Sequence, residues 1–331
     1  MPATRHDVLC IGNAIVDVIA QADDAFLDAE SLAKGSMMLI DEDRAHQLYG
    51  RMGPGLETSG GSAGNTVAGV ASLGGNAAYV GKVAKDQLGE VFGHDMRSIG
   101  VHFATAPLAS GPATARSLIN VTGDGQRTMC TFLGASTELT ADDVDPAVIE
   151  ASAILYLEGY LFDPVEARRA FAKASAIART SERLISLTLS DAFVVERHRD
   201  ALLGFIDTQV DIVFGNEVEL ASLFETSDFD AAAKAMGERA RIAAITRGEA
   251  GSVVLSGGQA IAVPASPVQK VVDTTGAGDQ YAAGFLFGLA RGRPLDVCGR
   301  LGSLAAAEVI SHYGPRPQTS LRDLAAAAGL M

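Results

Sequence analysis

No tryptophan occurs anywhere in the 331 residues, so tryptophan stacking on a planar ligand is excluded. Cysteine is nearly as scarce. Cys10, Cys130 and Cys298 are odd in number and far apart, with no C-x-x-C and no Cys/His pairing at zinc spacing. That removes a disulfide framework and a thiolate zinc site, and predicts a reduced cytoplasmic protein with buried thiols. Positive charge is also short: 26 Lys and Arg stand against 40 Asp and Glu, a net charge of −14. Nucleic acid and anionic membrane surfaces both require clustered cations, so neither is an expected partner. A small phosphate ligand stays open, because backbone amides and one Mg²⁺ can hold it. No apolar run reaches the ~20 residues of a membrane span. The richest segment, Tyr281 to Ala290, is short and carries two glycines, and Met1 to Asp7 lead into a strand without the pattern of a cleavable leader. A Walker loop is missing as well: Gly75 to Lys82 has the wrong glycine spacing, and Val83 stands where a hydroxyl is needed. Gly12 is followed by Asn13-Ala14-Ile15 rather than a G-x-G-x-x-G turn, which argues against a nicotinamide dehydrogenase.

What is present is an ordinary globular composition, 48% hydrophobic and 20% charged, long enough to bury a large core unaided. Val8 to Ile11 and Ile15 to Ala20 read as one interrupted strand or two, and Ser36 to Ile40 and Ala77 to Val83 as further strands. Glu42 to Met52, Thr66 to Leu73 and Gly89 to Ile99 read as helices. Ala113 to Val121 and Arg127 to Leu133 flank Thr122-Gly123-Asp124-Gly125-Gln126, a hairpin signal. From about residue 140 strands alternate with helices. The predicted strands are 153–157, 184–188, 212–214, 242–246 and 251–255, and the predicted helices are 164–180, 197–206, 217–223, 229–239, 278–290 and 295–310. Such alternation predicts an α/β, doubly wound, mostly parallel sheet flanked by helices. Hairpins are expected only in the first 135 residues. The chain is therefore expected to be a single core over 1–331, with a small β-sheet lid from insertions at about 14–45 and 104–135.

Two glycine-rich segments carry chemistry. In Asp273-Thr274-Thr275-Gly276-Ala277-Gly278-Asp279 a turn runs straight into an apolar helix. Free amides and the positive helix end then meet at one point, an anion site with a carboxylate beside it. A helix cap on a plain turn is the simpler alternative. Gly60-Gly61-Ser62-Ala63-Gly64-Asn65 precedes a second apolar helix, where the glycines allow close approach and Ser62 and Asn65 offer polar contacts. A flexible loop before an Asn-capped helix explains that segment equally well.

Together these two segments resemble the paired motifs of the ribokinase/PfkB-type sugar and nucleoside kinases, some two hundred residues apart and in that family's order. Asn216-Glu217-Val218-Glu219 is similar to the family's N-x-x-E element, and Thr246-Arg247-Gly248-Glu249-Ala250-Gly251 to its T-x-G-x-x-G nucleotide loop. The resemblance covers essentially the whole chain. It implies a ribokinase-like fold and an ATP- and Mg²⁺-dependent phosphotransferase acting on an alcohol. Asp279 would be the base, and Gly276, Ala277 and Gly278, with the Asp279 amide, the anion hole. Asn216 and Glu219 would organise Mg²⁺ largely through water. Thr246, Gly248 and Gly251, with Asn216, would line the ATP site. Gly60, Gly61, Ser62 and Asn65 would approach the acceptor. Asp273 and Thr275 could offer oxygens to K⁺, although Gly314-Pro315-Arg316-Pro317 matches the rest of that cation site only loosely. A helix cap and an exposed acid would be the plain account of Asn216 and Glu219.

Gly12-Asn13-Ala14-Ile15-Val16-Asp17 bears on the acceptor. On an alternating strand Asn13, Ile15 and Asp17 share a face, and a carboxylate beside an amide suits vicinal hydroxyls. The segment resembles the G-N-x-x-x-D start of adenosine kinases, while sugar kinases of the family also keep the acid. The resemblance implies a primary hydroxyl on a ribose-containing acceptor, with adenosine first. The alternatives are inosine, guanosine, ribose or fructose, and, in a different class, a non-catalytic nucleoside-binding regulator. Ile15, Met37, Met38, Leu39, Phe132, Leu133 and Phe193 are candidates for a base slot, though plain core positions account for each singly. Arg116 and Arg127, in the hairpin, read as solvated edge charges. The expected assembly is a monomer or a lid-mediated homodimer.

Overall fold

The structure, a computed structural model, describes residues 4–331. Among the described residues fourteen strands are distributed over two sheets: β1 (His6–Ile11), β2 (Ile15–Gln21), β3 (Met37–Leu39), β4 (Gly55–Gly60), β5 (Ala77–Val80), β6 (His102–Phe103), β7 (Ala115–Val121), β8 (Arg127–Phe132), β9 (Ser152–Glu158), β10 (Leu184–Thr188), β11 (Ile212–Asn216), β12 (Ile242–Thr246), β13 (Ser252–Ser256) and β14 (Gln259–Val263). The large sheet has the order β14-β13-β12-β11-β10-β9-β1-β5-β6 and is parallel from β12 to β6. Its central strands β1 and β9 are buried at almost every position because helices cover both faces. The architecture is the doubly wound α/β fold that the strand–helix alternation predicts.

The expectation that hairpins end by residue 135 is overturned. β12, β13 and β14 form an antiparallel meander at the edge of the large sheet. Gly251 makes it possible, with a φ of +83° and no room for a side chain, since a Cβ there would lie 2.1 Å from the Val263 carbonyl oxygen. The sequence places strands at 242–246 and 251–255 with a link too short for a helical crossover, and the third strand, β14, is the one it leaves out.

The small sheet has the order β3-β8-β7-β2-β4. β7 and β8 are the predicted hairpin, and β2 pairs parallel to β7 and antiparallel to β4. β4 lies outside the two expected insertions. Its sequence, Gly-Leu-Glu-Thr-Ser-Gly, has too little apolar character to mark it as a strand. The two apolar runs at the N-terminus are separate strands in different sheets. The chain leaves β1 through Gly12, where a Cβ would meet the Glu158 carboxylate at 2.3 Å and Ala63 at 2.4 Å.

The helix Ser62–Ser72 packs on the helix Ala277–Ala290 through small residues. A Cβ on Gly69 would fall 2.2 Å from the Gln280 side-chain oxygen and 2.6 Å from Ala283. That approach brings the N-terminal ends of the two helices together beside the C-terminal ends of β1, β9, β10, β11 and β12. Crevices at that edge of a parallel sheet are the usual place for ligands in α/β folds.

Candidate active site

The helix Ala277–Ala290 begins directly after Gly276, which has a φ of +79°; its Cβ would lie 2.7 Å from Pro315. Asp279 is therefore the third residue of the helix and not its cap. Its carboxylate accepts from Ser62 Oγ at 2.6 Å and from Asn65 Nδ2 at 2.9 Å. The predicted helix start at Thr66 is corrected by this pairing: helix begins at Ser62, capped by Gly61, and Ser62 and Asn65 lie in its first turn. Asn65 is thus no helix cap; it is buried against Asp279. Burial raises the Asp279 carboxyl to about 6, against the lowering effect of the Ser62 and Asn65 bonds.

Gly278 and Asp279, second and third in the helix, have N–H groups that no helical carbonyl can accept. The Ala277 amide is already committed, donating to the Thr274 carbonyl at 3.2 Å. Of the anticipated donors, the Gly276, Gly278 and Asp279 amides donate to no other described residue, and Gly278 and Asp279 line the cavity.

Asn216 and Glu219 form a reciprocal cap at the start of the helix Glu217–Phe224. Asn216 Oδ1 accepts from the Val218 and Glu219 amides, and the Glu219 carboxylate accepts from Asn216 N at 3.0 Å and Nδ2 at 2.6 Å. The plain cap is therefore real, but the exposed acid of that plain account is not. Glu219 is buried and lines one cavity with Asn216, Thr246, Gly278 and Asp279. Burial lifts its carboxyl to about 7, helped by the nearby Asp191 and Asp279 charges and opposed by the Asn216 amide. Gly248 is exposed on a short turn, and Gly251 closes that turn before β13.

Toward the small sheet lie Asn13, just before β2, and Asp17, within it, both buried. Gly60 and Gly61 make room for them: a Cβ on Gly60 would lie 2.4 Å from the Asp17 carboxylate, and one on Gly61 2.3 Å from the Asn13 carbonyl. Asp17 accepts no hydrogen bond from any described residue, unlike Asp279 and Glu219. Burial lifts it to about 6; Arg316 and Arg127 pull it down and Asp279 pushes it up.

Three participants escape the sequence. Glu158, at the end of β9, accepts from Asn13 Nδ2 at 3.0 Å and from the Ala63 amide at 2.8 Å, tying the acceptor side to the helix carrying Ser62. Its only signal is a lone acid closing an apolar strand before a glycine. Gln280, fully buried, donates to the Asn65 carbonyl at 2.9 Å and the Pro315 carbonyl at 3.0 Å. Arg316 reaches the Gly64 carbonyl at 3.5 Å, and its Nε is buried without a partner.

Other expectations are corrected. Arg116 is buried beneath the small sheet with its guanidinium 5.9 Å from the Phe132 ring, and Arg127 is paired with Asp273; neither is a solvated edge charge. Phe193 is 72% exposed at a helix start, and Met37 and Leu39 point largely to solvent, so none of the three walls a buried base slot. Met38 packs into the core instead, and Phe132 and Leu133 line a separate groove with Leu39. Ile15, half-buried at the head of β2, is the apolar candidate left near Asp17.

All three cysteines are buried and unpaired, and burial raises each thiol, Cys298 to about 12. A thiol-reactive dye at neutral pH is therefore expected to leave the native chain unlabelled and to count three thiols after denaturation. Rapid native labelling of Cys130 would show that the small sheet opens.

Among the described residues no helix is long and apolar enough to cross a membrane. The family model for pfkB family carbohydrate kinases matches residues 5–321. Over its full length the chain is similar to two solved structures. One is a probable sugar kinase protein from Rhizobium etli CFN 42, 51% identical with a TM-score of 0.92, over 99% of this chain and 100% of that one. The other is an adenosine kinase from Sinorhizobium meliloti, 54% identical with a TM-score of 0.91, over 98% and 99%. Adenosine kinase 2 of Arabidopsis thaliana is 27% identical over 331 residues, which cover 93% of this chain and 94% of that protein.

Proposed function

Because this chain belongs to the pfkB family of carbohydrate kinases, we propose that it transfers the γ-phosphoryl group of ATP to the 5′ hydroxyl of adenosine. Membership makes it a phosphotransferase acting on a hydroxyl group. One juxtaposition carries the rest of the reading. Asp279, held between Ser62 and Asn65 at the amide end of a helix, shares its cavity with Asn216, Glu219 and Thr246. Adenosine as acceptor is supported by the 54% identical Sinorhizobium meliloti adenosine kinase.

In this reading Asp17 and the free oxygen of the Asn13 amide hold the ribose hydroxyls. The 5′ hydroxyl then points at Asp279, which takes its proton as the oxygen attacks the γ-phosphorus and the bond from that phosphorus to the β,γ-bridging oxygen breaks, with ADP leaving. The Gly278 and Asp279 amides stabilise charge on the transferred group. Phosphoryl transfer asks mainly for such positioning and charge stabilisation. The donors suit Mg²⁺ held through water and the ATP phosphates. Glu219 faces the cavity, and no cluster of three acidic, His or Cys side chains forms a protein cage among the described residues. Bound there, Mg²⁺ would neutralise phosphate charge.

The test is ADP release from MgATP with adenosine, inosine, guanosine, ribose and fructose in parallel. Turnover preferring adenosine supports the proposal. Turnover only on free sugars would keep the role of Asp279 and remove adenosine. Nucleoside binding without ADP formation would establish a binding protein instead. A pH profile adds a second check. Asp279 must be ionised as the base and Asp17 as the ribose acceptor, and burial raises both carboxyls to about 6, so kcat/KM is expected to fall by more than tenfold, toward about a hundredfold, per pH unit well below 6. A profile level down to pH 4 would remove Asp279 as the base.

A further inference from the structure

Asp273 opens the turn that carries the anion-hole residues, and its carboxylate is fully committed. Oδ1 accepts from Thr275 N at 3.0 Å and from Thr275 Oγ1 at 2.7 Å. Oδ2 accepts from Gly314 N at 3.0 Å and from Nη1 of Arg127 on β8. A carboxylate offers about four acceptor sites, and four donors fill them. The Thr275 hydroxyl donates to the same group and keeps its own lone pairs, so it is Asp273, the charged member of the pair, that has no acceptor site left. The pair of residues expected to offer oxygens to K⁺ therefore does not fit one: the place beside Asp273 belongs to a guanidinium. Both side chains are almost wholly buried, Arg127 at 7% and Asp273 at 6% exposure. Burial alone would raise the Asp273 carboxyl, yet the Gly314 and Thr275 bonds and the Arg127 charge hold it below its usual value.

We propose that Arg127 is a built-in cation that anchors the Asp273–Gly276 turn, so that this enzyme needs no monovalent metal ion and couples the order of its anion hole to the seating of the small sheet. The inference rests on the kinase reading. A monovalent ion beside this turn would neutralise Asp273 and fix the loop. Arg127 does both, with the difference that its charge arrives on β8. The loop is therefore fixed only when that strand is seated over the site. Arg127 acts through the turn and is a positioning residue. Its remaining donors, Nε and Nη2, are buried without partners, so the guanidinium is not held in place by any competing acceptor.

The experiment compares K⁺, Na⁺ and tetramethylammonium chloride at equal ionic strength, for the wild type, Arg127→Lys and Arg127→Ala. In the wild type, kcat and melting temperature are expected to be the same in all three salts, with kcat varying less than about twofold, because a ligand without a site cannot shift either. Arg127→Lys keeps the charge and should stay cation-independent. Arg127→Ala should lose at least about tenfold in kcat with little change in the KM for ATP, and part of that loss should return with K⁺ or guanidinium, as for a removed electrostatic group. A wild type whose turnover or melting temperature rises with K⁺ over Na⁺ overturns the proposal. So does an Arg127→Ala variant with wild-type kcat in tetramethylammonium. The melting comparison needs no turnover, so an inactive wild type would fail the kinase reading while leaving the cation question answered.

Discussion

Asp279→Asn is expected to lower kcat by about 10²- to 10⁴-fold, the range a positioned general base contributes, while leaving the fold and ATP binding intact. The substitution is nearly isosteric, and the pocket can accept it. Ser62 can reverse its hydroxyl. Asn65 Oδ1 is buried without a partner, so a turn of that amide would offer an acceptor to the new Nδ2. Stability should hold or rise. The folded carboxyl is raised from 3.8 to about 6, so ionising it in the folded state is unfavourable. Stability is lost as pH climbs from the unfolded value through the folded one, and near neutrality the full cost, roughly 3 kcal/mol at most, is in place. A neutral amide removes it. Lost turnover with an unchanged or higher melting temperature marks a group kept for chemistry. The measurement is steady-state kinetics beside a thermal melt at pH 7.5. Near-normal kcat would remove Asp279 from its role, and a large fall in melting temperature would make it structural.

The legible parts of this molecule are those in which sequence neighbours act together. The parallel strands from β9 to β12 show as apolar runs because both their faces are covered, and the turn Asp273–Asp279 shows because one local segment builds it. Asn216 and Glu219 are legible for the same reason, being three residues apart on one helix start. What stays hidden depends on partners distant in the chain. Glu158 meets Asn13 and Ala63 across 145 and 95 residues, and Arg127 meets Asp273 across 146. A hairpin arginine looks like an edge charge until the small sheet is folded onto the core. The β12–β14 meander is hidden differently: its antiparallel pairing hangs on the left-handed geometry of Gly251, and the same glycine suits a nucleotide loop. Asn65 shows how a correct residue can carry a wrong local account. Its place after glycines suggests a cap, but the helix starts three residues earlier and turns it toward Asp279.

Asp17→Ala is expected to raise the KM for the acceptor by about two to four orders of magnitude and to leave the KM for ATP within about twofold. The expectation comes from an unfilled valence. Asp17 is buried, yet no described residue donates to its carboxylate, although Asp279, Glu158 and Glu219 are each supplied with donors. Two cations, Arg316 and Arg127, lie near enough to favour its ionised form without forming ion pairs with it. An ionised, desolvated acceptor of this kind is costly unless a ligand completes it. Two ligand hydroxyls donating to a charged oxygen pair contribute about 1.5–3 kcal/mol each, which sets the scale of the loss. Truncation to alanine also removes the repulsion between Asp17 and Asp279, so the protein itself should not be weakened. The sugar provides the control. Wild-type enzyme should discriminate strongly against 2′-deoxy and 3′-deoxy forms of the acceptor. Asp17→Ala should discriminate far less between the parent and deoxy forms, because only the Asn13 amide oxygen is left to read the missing hydroxyl. Equal discrimination in both proteins would place the ribose elsewhere and leave the bare carboxylate of Asp17 to another ligand.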